Sequence, residues 1–368
     1  MIYRYQTRLF LSNHSRSEKP LMKNDDKGDL TYGPLMIASC QSATSLTLNV
    51  LKELKSLSKN RTPDSSVELL DNIDFQFSDG EICVRLNEDV NGRDVFLIQC
   101  LKDPTTSAGV NENYLGFLIA VRAFNEWGAH RVTGILPYLA YARQDKPTTG
   151  KREPITAKLM ADLSVEAGLD RLVVWAPHDK RVQGFYGKTP MDSLSPIPMF
   201  HKMFQDYRGR DDVIGVAPDA GAANFVIPFC RELDIRCAIS SKYRPKPEKA
   251  LVTEIMGDFN NIQTAIILDD MINAGGTIQA LIEKLYHDKG VKNIMLCVSH
   301  FLGSTQAIER LKTLHAEYGL ERLIVTDSIP LTKHFTALEF TEVISLGKPL
   351  AEEIHRIHHN LSFRGKLV

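Results

Sequence analysis

Long apolar runs are missing from this sequence: none approaches the roughly 18 residues that a membrane-crossing helix requires, so no spanning segment is expected. An excess of charge of either sign is missing too. Lys and Arg total 44 against 45 for Asp and Glu, a formal net charge of −1. A nucleic-acid binder would show a bulk basic attraction, and this chain has neither that nor a recognisable helix-turn-helix. Cysteine is sparse and scattered, and Cys40, Cys83, Cys100, Cys230, Cys237 and Cys297 contain no C-x-x-C pair. That argues against a disulfide framework or a zinc site and for reduced thiols in a cytoplasmic protein. No persuasive nucleophile motif occurs. What remains is a chain of 368 residues, 43% apolar and 24% charged, with room for two domains that have real cores.

Residues 1–33 stand apart. "MIYRYQTRLFLSNHSRSEKP" is rich in Arg and Ser and has no acid before Glu18. An organelle transit peptide has that composition, and so does an ordinary disordered tail, which is the reading adopted. Near the other end, His355, His358 and His359 have a spacing that suits a metal on a helix. Without a flanking carboxylate–cysteine cluster they read as a solvated helical face.

From Pro34 onward, short apolar runs alternate with helix-like segments. In "SLTLNVLKELKSLSK" Leu46, Val50, Leu54 and Leu57 fall on one helical face after a cap at Ser45. The rhythm predicts an α/β protein with mostly parallel sheets flanked by helices. It pauses at a proline-rich stretch, Pro190 to Pro198, and then resumes. The expected division is an extension over 1–33, an α/β domain over 34–195, a second over 196–350, and a C-terminal helix and tail over 351–368.

"AIILDDMINAGGTIQALIEKLY" predicts a buried strand over Ala265–Leu268 and a helix over Thr277–Tyr286. The turn between them sits at the carboxyl end of a parallel strand, where ligands bind in open α/β sheets. Gly275 and Gly276 allow a sharp bend and close approach. Their N–H groups, those opening the helix, and the Thr277 hydroxyl form a pocket for a phosphate. Asp269 and Asp270 then face the paired hydroxyls of a ribose, or hold a metal through water.

This stretch resembles the sugar-phosphate loop shared by type I phosphoribosyltransferases and ribose-phosphate pyrophosphokinases. The resemblance to the pyrophosphokinase family extends, in the family's motif order, from about Leu35 to about Leu350. "FQFSDGEICVRL" and "YARQDKPTTGKREPITAKLMADL" are similar to that family's ATP-binding segments. Phe77, Asp79, Gly80, Glu81, Arg143 and Gln144 are thereby implied to bind ATP. An aromatic ring suits stacking on the base, and Arg143 suits a phosphate. Asp269, Asp270, Asn273, Ala274, Gly275, Gly276 and Thr277 are implied to hold ribose 5-phosphate. His178 in "VVWAPHDKRVQGFYG" and Asp219 in "GVAPDAGAANF" match positions that hold the Mg2+ bound to ATP. Lys242 and Arg244, in a Pro- and Lys-rich segment read as a mobile loop, match the catalytic pair. The resemblance also implies phosphoribosyltransferase-like domains and a homo-oligomer, often a hexamer, whose active sites draw on a neighbouring subunit.

The departures cluster in the site. The family loop usually reads Asp-Thr-Ala-Gly-Thr where this chain has Asn273-Ala274-Gly275-Gly276-Thr277. Asp179, Lys180 and Arg181 replace small and amide residues, Ala222 replaces a glycine, and "SCQSAT" replaces a glycine–asparagine turn. The expected activity is transfer of the pyrophosphoryl group of ATP to ribose 5-phosphate. A weakly active or non-catalytic regulatory paralogue is the alternative that the Asn273–Ala274 departure favours. A phosphoribosyltransferase is opposed by the paired ATP-like segments.

Overall fold

The computed structural model describes residues 22–23, 30–58, 67–246 and 249–362, with the side chains of 22, 23, 30, 31, 58, 242–246 and 249–253 outside that description. Met22–Lys23 (β1) and Leu30–Thr31 (β2) pair as a small antiparallel ribbon inside the segment expected to be an irregular tail. The rest of that segment before residue 30 lies outside the described residues. Tyr32 follows, with the Arg131 guanidinium stacked 3.4 Å from its ring centroid.

The first sheet is built from Leu35–Ser39 (β3) and Glu68–Leu70 (β4) at one side. A separate hairpin, Asp74–Gln76 (β5) and Ile82–Val84 (β6), projects before the sheet continues. Asp94–Ile98 (β7), Arg131–Leu136 (β8), Arg171–Trp175 (β9) and Met191–Leu194 (β10) complete it. All neighbours are parallel, in the order β10-β9-β8-β7-β3-β4. The second sheet comprises Val213–Ala217 (β11), Arg236–Lys246 (β12), Lys249–Met256 (β13), Thr264–Ile272 (β14), Asn293–Phe301 (β15), Leu320–Thr326 (β16) and Thr341–Ile344 (β17). Its order is β13-β12-β11-β14-β15-β16-β17, parallel except for the β12–β13 pair. The expected α/β architecture is the one observed.

Successive strand residues point to opposite faces, and both sheets use this to bury two layers of helix. On the first sheet Met36, Ala38, Val95 and Leu97 pack with Phe117, Phe124 and Ala161, from the helices Val110–Glu126 and Thr156–Ala167. Ile37, Phe96 and Ile98 face the other way, against Leu46, Val50 and Leu54 of the helix Thr44–Ser58. That helix is preceded by a short turn over Gln41–Ala43, so Ser45 lies inside it and is not its cap. The second sheet is covered likewise, by Ile278, Leu281, Leu311 and Leu314 on one face and Phe200, Phe204, Val226 and Phe229 on the other.

The C-terminal helix Gly347–His358 returns to the first sheet. Leu350, Ile354 and Ile357 join the cluster of Val50, Phe96 and Trp175, and each buried side chain contributes roughly 1.5–3 kcal/mol relative to exposure. This corrects the reading of His355, His358 and His359 as a solvated face. His359 is exposed, but His358 is buried, its Nδ1 2.8 Å from Oδ2 of Asp94. The burial is tolerated because Asp94 also accepts from Arg131, through Nε at 2.8 Å and Nη2 at 2.6 Å. Among the described residues no helix is long and apolar enough to cross a membrane.

Candidate active site

β14 lies between β11 and β15, and Thr264 to Leu268 are wholly buried. The strand runs on to Ile272, four residues beyond its predicted end, which brings Asp269 and Asp270 to the carboxyl edge of the sheet within a regular ladder. Gly275 then takes φ +77, a conformation in which a Cβ is strained, and Gly276 opens the helix Gly276–Asp288. The first-turn N–H groups of a helix have no partner within it, and the helix dipole makes that end attractive to anions.

The two aspartates read as equivalent in the sequence are not so in the fold. Burial, and then the charge of Asp270, push the Asp269 carboxyl well above the usual range. Burial acts to raise Asp270 as well, but the hydrogen bond and charge of His178 outweigh it and hold its carboxyl below the ordinary value. His178 Nδ1 lies 2.5 Å from Asp270 Oδ2, and that bond raises the imidazole against the opposing effect of burial. The result is an ion pair bridging the two sheets, with a carboxyl beside it that is harder to ionise than an ordinary aspartate.

His178 follows β9 by way of Ala176, a non-glycine residue at φ +42. The Ala176 carbonyl accepts from Nε2 of His300 at 3.0 Å, and Nδ1 of His300 lies 2.8 Å from the Ser328 hydroxyl. Burial holds His300 below its ordinary value and therefore neutral. This histidine at the end of β15 ties the strained segment before His178 to the second sheet. Nothing in its sequence context singles it out.

His178, Asp269 and Asp270 share one cavity of about 970 Å³ between the two sheets. Arg143 and His178 line it from the first. Asp219, Ser240, Ser241, Asp269, Asp270 and the loop Asn273, Ala274, Gly275, Gly276 and Thr277 line it from the second, joined by Gln306 and Arg310, which the sequence did not flag. Asp219 accepts from the Ala222 N–H at 3.0 Å, so Ala222 meets this carboxylate through its backbone and needs no side chain to do so. Asp179 caps the turn after His178 by accepting from the Arg181 N–H at 2.8 Å, and its side chain pairs with the Arg181 guanidinium.

Other expected site residues are not brought together. Phe77, Asp79, Gly80 and Glu81 form the tip of the β5–β6 hairpin, closed by the Phe77 N–H donating to the Glu81 carbonyl at 2.8 Å. Phe77 is 49% exposed, and none of the four lines the cavity of its own chain. Gln144 follows Arg143 but turns its backbone to Tyr141 and Ala157 instead. The segment of Lys242 and Arg244, expected to be a loop, has extended backbone: β12 pairs with β13, Lys242 opposite Val252. The pairing is irregular between Tyr243 and Lys246, where Pro245 has no N–H to give. The side chains of Lys242 and Arg244 lie outside the described residues.

Residues 35–168 match the family model for the N-terminal domain of ribose phosphate pyrophosphokinase, and residues 231–367 match that of the phosphoribosyl synthetase-associated domain. The chain is 37% identical over 317 residues to a ribose-phosphate pyrophosphokinase of Caldanaerobacter subterraneus, covering 84% of this chain and 96% of that one. It is 36% identical to the Clostridium acetobutylicum protein of that name, covering 85% and 97%. The crystal structure of phosphoribosylpyrophosphate synthetase from Mycobacterium smegmatis superposes with a TM-score of 0.76 at 30% identity, covering 89% of this chain and 99% of the other.

Proposed function

The chain belongs to the ribose-phosphate pyrophosphokinase family, and from that premise we propose that it transfers the pyrophosphoryl group of ATP to the 1-hydroxyl of ribose 5-phosphate, releasing AMP and phosphoribosyl pyrophosphate. The observation that carries the reading is the single cavity in which an anion-binding helix start and a carboxylate pair from one sheet meet Arg143 and His178 from the other. The sugar phosphate sits on Asn273 to Thr277, and its ring hydroxyls face Asp269 and Asp270. The 1-hydroxyl oxygen forms a bond to the β-phosphorus and gives its proton to solvent, while the bond from that phosphorus to the oxygen bridging it to the α-phosphorus breaks, and AMP leaves with that oxygen. Lys242 and Arg244 stabilise the charge on the transferring group, because phosphoryl transfer depends mainly on positioning and neutralisation.

Among the described residues no group of three or more His, Cys, Asp or Glu is assembled that could hold a metal. A donor set of this size fits Mg2+ that arrives on the ATP phosphates, since that ion keeps several waters and takes only one or two carboxylates from a protein. Asp219 and His178 are the residues that would hold it. When bound, the ion neutralises phosphate charge and aligns the polyphosphate.

The hairpin tip carrying Phe77, Asp79, Gly80 and Glu81 does not line its own cavity. It would serve the base of an ATP bound to a neighbouring copy, so the active unit is a homo-oligomer, with a hexamer the state expected from the family. The test is incubation of the full-length protein with Mg2+, ATP and ribose 5-phosphate, followed by phosphorus NMR. Matching growth of AMP and of the sugar-linked pyrophosphate is expected. No turnover at any Mg2+ or phosphate concentration would leave the regulatory-paralogue reading in its place.

A further inference from the structure

For the amides of the 273–277 loop to point at an anion, its carbonyls must be engaged elsewhere. The neighbouring helix Thr305–Glu317 takes two of them. The Ser304 hydroxyl caps that helix, accepting from the Ala307 N–H at 3.2 Å, and donates to the Asn273 carbonyl at 2.7 Å. Further along, the Arg310 guanidinium donates through Nη1 to the Ala274 carbonyl. Loop and helix touch at this point, for a Cβ added to Gly275 would sit 3.8 Å from Ala307 Cβ and from Arg310 Cδ.

Arg310 is half-buried, lines the cavity, and has no carboxylate partner among the described residues. One bond to Ala274 leaves most of its donors unspent. An unneutralised guanidinium beside helix-start amides is chemistry for a dianionic oxygen group, which it can grip with paired N–H donors. The loop itself offers little other side-chain help: Ala274 has no donor, and Asn273 and Thr277 are neutral. Arg143 and His178, the other basic side chains of the cavity wall among the described residues, come from the opposite sheet.

We infer that Arg310 is a positioning and specificity-determining residue for the 5-phosphate of the sugar, an assignment that rests on the function proposed above. It fixes the loop through Ala274 and supplies the full positive charge at the phosphate end, while Ser304 fixes the loop through Asn273.

The experiment is steady-state kinetics of the full chain with each substrate varied in turn. Arg310→Gln raises KM for ribose 5-phosphate about 10–100-fold, the loss expected from a charge-assisted contact. It leaves KM for Mg-ATP unchanged and kcat at saturation within about threefold, the pattern of a residue that binds ground and transition states alike. Arg310→Lys, which keeps the charge but not the fork, recovers part of the loss, and Ser304→Ala raises the same KM by less. A merely structural role would move both KM values together. That result, or an unchanged KM for ribose 5-phosphate in folded Arg310→Gln, overturns the assignment. Should the glutamine variant not fold, the lysine variant is subject to the same two criteria. A wild type without turnover counts against the proposed activity; calorimetric binding of ribose 5-phosphate then decides the role of Arg310, and equal affinity in wild type and variant overturns it.

Discussion

Lys242→Ala is expected to lower turnover by about 10³-fold or more while leaving the thermal unfolding midpoint close to that of the wild type. The backbone of β12 passes from Ser240 and Ser241 in the cavity wall directly to Lys242 and Arg244. The β12–β13 hairpin thus begins at the cavity in which the proposed reaction places the polyphosphate of ATP. A pyrophosphoryl group in flight spreads negative charge over its equatorial and leaving oxygens, and a cation delivered by this hairpin acts on that charge. Its effect is specific to the transition state, so kcat and kcat/KM for ribose 5-phosphate should fall together. Steady-state rates with ribose 5-phosphate varied, followed as AMP release, are the readout. Turnover that survives in Lys242→Ala would place the catalytic cation elsewhere in the cavity and leave Arg143 as the first candidate.

Asp94→Ala is expected to destabilise the fold by about 3–5 kcal/mol, the range found when one partner of a buried ion pair is removed. Asp94 is 0% exposed and accepts from both Arg131 and His358. Without it, a guanidinium and an imidazole are left buried with no anion. Arg131 Nη2 also lies 3.5 Å from the Ile357 carbonyl, so the same network holds the end of the C-terminal helix on the first sheet. Equilibrium denaturation should show the lowered midpoint, and amide exchange should show protection lost first over Gly347–His358. A change below about 1 kcal/mol would mean that apolar packing of Leu350, Ile354 and Ile357 alone secures the helix.

The sequence was most legible where local chemistry and fold coincide. The apolar run ending in Asp269 and Asp270, followed by a glycine pair and an amphipathic stretch, has one economical reading as strand, anion-binding turn and helix. The structure has that element order, with the strand longer and the helix starting one residue earlier. The alternation of short apolar runs and helices likewise foretold two α/β layers. Tertiary pairing was less legible. The histidines near the C-terminus read as solvated because no flanking carboxylate–cysteine cluster marks them as a metal site. Only the distant Asp94, more than 250 residues earlier in the chain, makes the burial of His358 tolerable. Arg310 and Ser304 escaped notice because they act on backbone carbonyls and carry no motif. The inequality of Asp269 and Asp270 depends on which of them meets His178, and spacing does not encode that. The Lys242 segment misled through composition. Lysine and proline favour loops, yet a hairpin accommodates Pro245 where its ladder is already irregular.

In the proposed reaction, main-chain amides at the start of the helix Gly276–Asp288 hold the sugar's monoester. A crystal structure of the full chain with ribose 5-phosphate tests it most directly. The expected density places phosphate oxygens within hydrogen-bond reach of the Gly275, Gly276 and Thr277 N–H groups, the Arg310 guanidinium beside them, and the ring hydroxyls toward Asp269 and Asp270. Sugar density elsewhere in the cavity, with those amides turned away from it, would rule out this phosphate site.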